Sequence, residues 1–276
     1  MNFEAEGIML RENCRRIPRG CEPGVPTTSD LASQLLSVII PARDEVNSIG
    51  SLILKIGDSL SGYPHQIIVV DDGSGDGTRE MAQSNGAIVI SHDKNLGKGA
   101  AMKTGVQNAS GGVIIFFDGD GAHDAQDILR VIAPILERKA DFIIGSRALP
   151  ESKVITSPLT RRLSNNLASF AISVIISFLL PLATLFRCPV KYTRITDCTS
   201  GFRAISRESW RKLILVSQGF EIETEMIYEA AKNKLAISEV PISCNWNSHL
   251  SRLAIFRDGF GTLKLLAGKL IDEVRK

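Results

Sequence analysis

Five short apolar runs, rich in β-branched residues, recur through the chain, and helix-period stretches separate them. The runs are Leu36–Ile40, Ile67–Val70, Ala87–Ile90, Val113–Phe117 and Phe142–Ile144. Between them lie the helical stretches Val46–Leu60, Thr78–Ser84, Gly99–Ala109 and Ile128–Glu137. Strand and helix in alternation predict an α/β fold: βαβ units around a mostly parallel, Rossmann-like sheet with flanking helices. Apart from Ser37 the runs are apolar throughout instead of alternating, as strands covered on both faces require.

Such sheets bind ligands at the carboxyl ends of their strands, and the polar clusters fall there. Pro41-Ala42-Arg43-Asp44-Glu45 follows the first strand, and Asp71-Asp72-Gly73-Ser74-Gly75-Asp76-Gly77-Thr78 the second. Asp118-Gly119-Asp120 and Gly145-Ser146-Arg147 follow two later ones. Two carboxylates flanking a residue without a side chain repel each other, and a hard divalent cation such as Mg²⁺ relieves that repulsion while bridging to phosphates. Asp72 can accept from a ribose hydroxyl or a base N–H, while Asp76 and Thr78 suit the cap of the following helix. Asn95-Leu96-Gly97-Lys98-Gly99 opens a helix whose first N–H groups, with Lys98, can meet a phosphate.

Composition narrows the field. With 32 basic and 30 acidic residues the net charge is +2, too little for a protein that binds nucleic acid by broad phosphate neutralisation. Five scattered cysteines with no C-x-x-C pair predict neither a zinc site nor a disulfide framework, and point to a reducing compartment. Residues 1–35 mix arginines with Gly and Pro, have no apolar periodicity and no signal-like apolar core, and read as a flexible N-terminal tail. No G-x-G-x-x-G follows the first strand and no G-x-x-x-x-G-K-[ST] occurs, which argues against a hydride-transfer enzyme and a P-loop NTPase.

The strings SVIIPARDE, IIVVDDGSGDGT, NLGKGAAMKTG, IIFFDGDGAHD and GSR, in that order, resemble family 2 glycosyltransferases of the GT-A fold. Arg161-Arg162-Leu163-Ser164, Asp197-Cys198-Thr199-Ser200-Gly201-Phe202-Arg203, Gly219-Phe220-Glu221-Ile222-Glu223 and Glu239-Val240-Pro241-Ile242 are similar to the dolichyl-phosphate mannose or glucose synthases of that family. The resemblance covers about residues 36–255. It implies a metal-dependent, inverting transfer of a sugar from a GDP-mannose or UDP-glucose type donor to polyprenyl (dolichyl) phosphate. The donor set it implies is Pro41, Arg43, Glu45, Val70, Asp72, Lys98, Asp118, Gly119 and Asp120, with Asp118 and Asp120 holding Mg²⁺ or Mn²⁺. Arg147 would bind donor or acceptor phosphate, and Arg161 or Arg162, Ser164 and Arg252 would grip the acceptor phosphate. Ala122 stands where many of these synthases have a Gln metal contact, Asp44 replaces a usual Asn, and Asn245 to His249 replace a usual Arg.

A phosphate monoester is already ionised near pH 7 and needs no strong base. A hydroxyl acceptor would need one, and Asp197 is the first candidate; its alternative role is to fix the Ser200-Gly201-Phe202 loop. Leu163 to Phe186 carries no charge, and its last 20 residues are long enough to span a bilayer. Ser169, Ser173 and Ser177 recur every fourth residue, however, and Pro181 interrupts the run. Residues 163–187 therefore read as a kinked pair of interfacial helices on the cytoplasmic face of a membrane, with a buried core helix and a true span as the alternatives. Residues 254–276 read as a C-terminal amphipathic helix after the glycosyltransferase domain at 36–253. A soluble hydroxyl acceptor, a nucleotidyltransferase and a non-catalytic membrane scaffold stay open as rival readings, as does a homo-oligomer.

Overall fold

The computed structural model describes residues 34–155, 159–184, 194–245 and 255–275. A seven-stranded sheet forms the centre: β1 (Leu36–Ala42), β2 (His65–Asp71), β3 (Ile88–Ser91), β4 (Val113–Phe116), β5 (Phe142–Ser146), β7 (Arg203–Ser206) and β8 (Ile237–Pro241). β6 (Val154–Ile155) and β9 (Cys244–Asn245) pair separately in a two-stranded ladder. The order across the large sheet is β3-β2-β1-β4-β7-β5-β8. All its pairs are parallel except those of β7, which runs antiparallel between β4 and β5. The predicted mostly parallel sheet is the one observed, and its five forecast strands agree to within two residues at each end.

Alternation along the strands sends residues to two cores. Leu36, Val38 and Ile40 of β1 meet Ile49, Leu52, Ile53 and Ile56 of α1 (Val46–Ser59) and Ile128, Val131 and Ile132 of α4 (Ile128–Leu136). Ile39 faces the other way, with Met102 and Val106 of α3 (Lys98–Asn108) and Ile222, Met226 and Ile227 of α8 (Ile222–Lys232). Each such isoleucine, with at most 3% of its surface exposed, contributes about 2 kcal/mol. The short α2 (Thr78–Ser84) covers α1 at the edge, and Thr78 is buried against it.

The chain leaves β1 toward β2 and β3 on one side, then returns to β4 on the other. The crevice between the carboxyl ends of β1 and β4 is therefore the switch point where ligands bind in open α/β sheets. Pro41 closes β1 there, and Asp118 follows β4 two residues on.

The apolar run folds as α5 (Leu159–Val174), a single π turn (Ile175–Leu179) and α6 (Leu180–Ala183). A wide turn just ahead of Pro181 accommodates the missing N–H and its ring. The stretch Asn165–Leu182 is apolar enough to cross a membrane, with mean hydropathy 1.7, but 44% of it is buried in the protein. The polar stripe explains that burial. Ser173 Oγ accepts from Ile195 N (2.9 Å), Ser169 Oγ from Cys198 N (3.0 Å), and Asn165 Oδ1 from Thr199 Oγ1 (2.9 Å). These residues hold the loop that carries Asp197. The opposite face leaves Leu163, Leu167, Phe170, Phe178 and Leu182 exposed. Between α6 and α8 in the chain comes the single-turn α7 (Arg207–Trp210), and the last element is α9 (Ile255–Val274).

Candidate active site

The loops after β1 and β2 are stitched together. Asp44 N donates to Ser74 Oγ (2.9 Å), Gly75 N donates back to Asp44 Oδ1 (3.0 Å), and Glu45 N donates to Thr78 Oγ1 (2.7 Å). Asp44 has φ 50°, a left-handed conformation that Asn and Asp tolerate best among residues with a Cβ. Replacing a usual Asn by Asp there keeps the backbone option. Arg43 lies on the exposed side of this turn, with Nε 3.7 Å from Asp44 Oδ2. Glu45 starts α1, where Ser48 Oγ reaches Glu45 Oε2 (3.1 Å) and Gly119 O (2.8 Å). The turn after β1 and the Asp118-Gly119-Asp120 turn are thus one connected wall.

Asp72 sits at the edge of this wall, and the chain itself uses most of its acceptor capacity. Oδ1 accepts from Leu96 N (2.8 Å) and faces His92 Nδ1 (2.7 Å), and Oδ2 accepts from Gly97 N (2.8 Å). A carboxylate has about four lone-pair positions, which leaves about one for a ligand. Val70 does not reach the crevice: it is fully buried with Ile68 and Ala101 between the sheet and α3, so its side chain belongs to the core.

Lys98, at the first turn of α3, points into the crevice. Its Nζ lies 2.5 Å from Asp118 Oδ1 and 2.6 Å from Glu223 Oε1. Burial alone would lower the Lys98 pKa, but the two carboxylates outweigh it and hold the ammonium above its ordinary range. Burial would likewise raise Asp118; Lys98 and the nearby His123 instead hold its carboxyl well below the usual range. His123 Nε2 lies 3.7 Å from Asp118 Oδ2. Against the effect of burial, Asp118 and Cys244 push its imidazole up to about 9. Asp120 Oδ1 accepts from Ala122 N (2.9 Å), which fixes the second carboxylate in its turn.

The donor chemistry suits Mg²⁺ or Mn²⁺. Asp118 and Asp120 supply hard oxygens, and no group of three or more His, Cys, Asp or Glu side chains forms a metal cage among the described residues. Two carboxylates on an open crevice, to be completed by phosphate oxygens and water, match the way these ions are commonly bound.

The opposite wall is the 194–201 loop. Glu239 Oε1 and Oε2 accept from the backbone of Thr196 and Asp197 at 2.9 to 3.1 Å. Asp197 has no exposed surface and meets Arg147 three times: from Arg147 N (2.9 Å), Nε (2.7 Å) and Nη2 (2.8 Å). Burial would raise its pKa, but Arg147 outweighs that and keeps the carboxyl low. Gly201 abuts Asp118, and a Cβ there would run into the Asp118 carboxylate. Arg203, wholly buried in β7, donates to Ser200 O (2.6 Å), Cys198 O (2.6 Å) and Glu223 O, tying this loop to the start of α8.

The structure therefore brings Pro41, Glu45, Asp72, Lys98, Asp118, Gly119, Asp120, Arg147 and Asp197 to the carboxyl ends of the strands. Arg161, Arg162 and Ser164 lie on α5, but their side chains, and Arg252 altogether, fall outside the described residues. Sequence reasoning gave no role to Arg203, His92 or Glu239. Glu223 was visible in its motif, but its contact with Lys98 joins residues 125 positions apart.

A mixed sheet with an Asp-Gly-Asp turn at the switch point matches the GT-A class of glycosyltransferase. The fold agrees with solved structures. Mannosyl-3-phosphoglycerate synthase from Rubrobacter xylanophilus superposes with TM-score 0.68, at 22% identity over 90% of this chain and 79% of that one. Glucosyl-3-phosphoglycerate synthase from Mycobacterium tuberculosis, solved with Mn²⁺ and UDP-glucose, gives 0.61, at 22% identity over 90% of this chain and 85% of that one.

Residues 37–214 match the model of glycosyl transferase family 2, and the chain belongs to that family; it is a glycosyltransferase. An uncharacterised protein of Methanocaldococcus jannaschii is 34% identical over 84% of this chain and 91% of its own length. The UDP-N-acetylglucosamine–dolichyl-phosphate N-acetylglucosaminyltransferase of Methanococcus voltae is 30% identical over 88% of this chain and 100% of its own. The dolichol-phosphate mannosyltransferase of Pyrococcus furiosus is 32% identical over 75% of this chain, which spans 56% of that protein.

Proposed function

We propose that the protein transfers a sugar from a nucleotide-sugar donor to polyprenyl phosphate, with inversion at the anomeric carbon, at the cytoplasmic face of a membrane. The observation that carries this reading is the Asp118-Gly119-Asp120 turn at the switch point, with Lys98 Nζ 2.5 Å from Asp118 Oδ1. The dolichyl-phosphate activities named for the Methanococcus voltae and Pyrococcus furiosus relatives support the acceptor.

In this reading the loops after β1 and β2, with Pro41, Arg43, Glu45 and Asp72, line the nucleotide end of the crevice. Asp118 and Asp120 would hold Mg²⁺ or Mn²⁺, which when bound neutralises charge on the diphosphate leaving group. Lys98 adds a positive charge where that group departs, and a fixed, largely buried cation acts more strongly than one in bulk solvent. Asp197 works as a positioning residue: it keeps the Arg147 guanidinium on the acceptor side. A carboxylate already accepting three hydrogen bonds from a guanidinium and an amide is a poor proton acceptor, and a phosphate nucleophile needs none. The exposed Leu163, Leu167, Phe170, Phe178 and Leu182 would lie in the lipid interface, with the polar stripe of the same helix on the Asp197 loop. Arg161, Arg162, Ser164 and Arg252 complete the proposed acceptor-phosphate set.

The test is an assay with Mn²⁺, a panel of labelled nucleotide sugars, and polyprenyl phosphate set against hydroxyl acceptors. Label in the organic phase is the expected result. Label confined to water-soluble product would replace the lipid acceptor with a soluble one, and no transfer to any acceptor would point to the scaffold reading.

A further inference from the structure

A chain of contacts joins the C-terminal helix α9 to the crevice. Lys269 of α9 places Nζ 2.6 Å from Glu229 Oε1, 3.0 Å from Glu225 Oε1 and 2.9 Å from Ile214 O. Glu225 has no exposed surface, and its carboxylate accepts from Val216 N (2.9 Å) and Ser217 N (2.9 Å). It thereby fixes the loop that leads into α8. That loop is the floor under the first turn of α3. Gln218 O accepts from Ala100 N (3.1 Å), and Ser217 O accepts from Lys103 Nζ (2.8 Å). A Cβ at Gly97 or Gly99 would collide with the Ser217 and Gln218 backbone, so the approach is as close as two chains permit. On its other side the same turn is held by Asp72 through Leu96 N and Gly97 N. Lys98 begins α3 between these two clamps.

Packing also joins α9 to this region, where Leu266 and Leu270 share one apolar cluster with Leu213 and Leu215. Ile214, Val216 and Gly219 line, together with Gly261, Leu265 and Gly268 of α9, a cleft of about 730 Å³. Across that cleft the Lys269 ammonium touches both the loop, at Ile214 O, and the carboxylate that caps it. Removing the cation leaves two buried carboxylates without it, and Glu225 then competes for protons or water instead of holding the loop.

We propose that Lys269 is a positioning residue for the donor site, acting through Glu225 and the 214–219 loop on the Lys98 turn. The role in donor binding rests on the glycosyltransferase reading, whereas the mechanical coupling does not. The second bridge between the same two helices, Lys232 Nζ to Glu273 Oε1 (2.6 Å), provides the control, since it joins them at the C-terminal end of α8 and away from Glu225.

The experiment compares Lys269→Met, Lys269→Arg and Lys232→Met in the full chain, by amide hydrogen exchange and by kinetics with Mn²⁺ and nucleotide sugar. In Lys269→Met, exchange over residues 214–219 and 97–102 should speed up about tenfold, and KM for the donor should rise about tenfold with kcat within about twofold, in keeping with one lost charge-assisted contact. Lys269→Arg should restore both, and Lys232→Met should change neither. Unchanged exchange at 97–102 in Lys269→Met, or an equal effect from Lys232→Met, would overturn the proposal. If Lys269→Met does not fold, Lys269→Gln must move both readouts in the same direction or the proposal fails. Absence of transfer by the wild type would sink the donor-site reading alone, because the exchange comparison still decides the coupling.

Discussion

Arg147 and Asp197 form a two-pronged ion pair, Nε to Oδ2 at 2.7 Å and Nη2 to Oδ1 at 2.8 Å, with the carboxylate wholly buried beneath the guanidinium. A third bond, from Arg147 N to the same Oδ2, locks the turn after β5 to the 194–201 loop. The pair therefore sets where a cation stands on the wall formed by the 194–201 loop.

Asp197→Asn should lower stability by about 3 kcal/mol at neutral pH, because it strands a buried guanidinium. Asp197 has a depressed pKa when folded, so the stability it contributes is full above the unfolded value near 4 and is lost as pH falls below that. Denaturant melts should show a constant wild-type-to-variant gap from about pH 6 to 8 that narrows below about pH 4. A gap that widens in acid would contradict the ion pair.

Gly201→Ala puts a methyl group against the Asp118 carboxylate. The expected cost is about 1–3 kcal/mol of stability from overpacking, together with a loss of turnover much larger than the loss of fold. Thermal melts and turnover measured on one preparation check this. Wild-type turnover would mean that Asp118 can move without consequence.

The two faces of α5 and the segment that follows it should separate cleanly. Ser173→Ala leaves Ile195 N without its acceptor and should cost about 1–3 kcal/mol, with no change in lipid binding. Leu167→Gln with Phe170→Gln alters side chains 70% and 67% exposed. It should leave the melting temperature within about 2 °C and sharply reduce co-sedimentation with anionic vesicles. Vesicle binding that survives the double substitution would place the membrane contact elsewhere.

Cys198 and Cys244 are buried, and burial pushes the Cys198 thiol up to about 11. In a variant with Cys14, Cys21 and Cys188 replaced by Ser, a disulfide-exchange reagent at pH 8 should find both thiols unreactive until denaturant is added. Rapid native reaction would contradict the burial.

Most of the sheet was legible because its runs Leu36–Ile40, Ile67–Val70 and Val113–Phe117 are apolar on both faces, a pattern that only a covered strand satisfies. β7 was not. It is four residues long and starts with Arg203, and a charged residue in a short run reads as a loop. That arginine is tolerated because Ser200 O, Cys198 O and Glu223 O surround it, and those partners come together only in three dimensions. The Ser169-Ser173-Ser177 stripe was visible as a periodicity, but its partner, the 195–199 loop, was not. The carboxylates Asp72, Asp118 and Asp120 could be found from their place after strands. What surrounds Asp72 could not, because His92 and Leu96 lie 20 and 24 residues away. The side chain of Val70, part of the donor set that the resemblance implies, is turned onto α3 by strand alternation.

The central claim is that Asp118 and Asp120 hold a divalent cation against a nucleoside diphosphate. Calorimetric titration of wild type and Asp120→Asn with nucleoside diphosphate, with Mn²⁺ and with chelator, tests it most directly. Asn can keep the bond from Ala122 N while removing the charge. Wild type should bind at least about tenfold tighter with Mn²⁺ than with chelator, and Asp120→Asn should lose that difference. Equal affinity with and without the metal in wild type, or an undiminished metal effect in Asp120→Asn, would contradict the account.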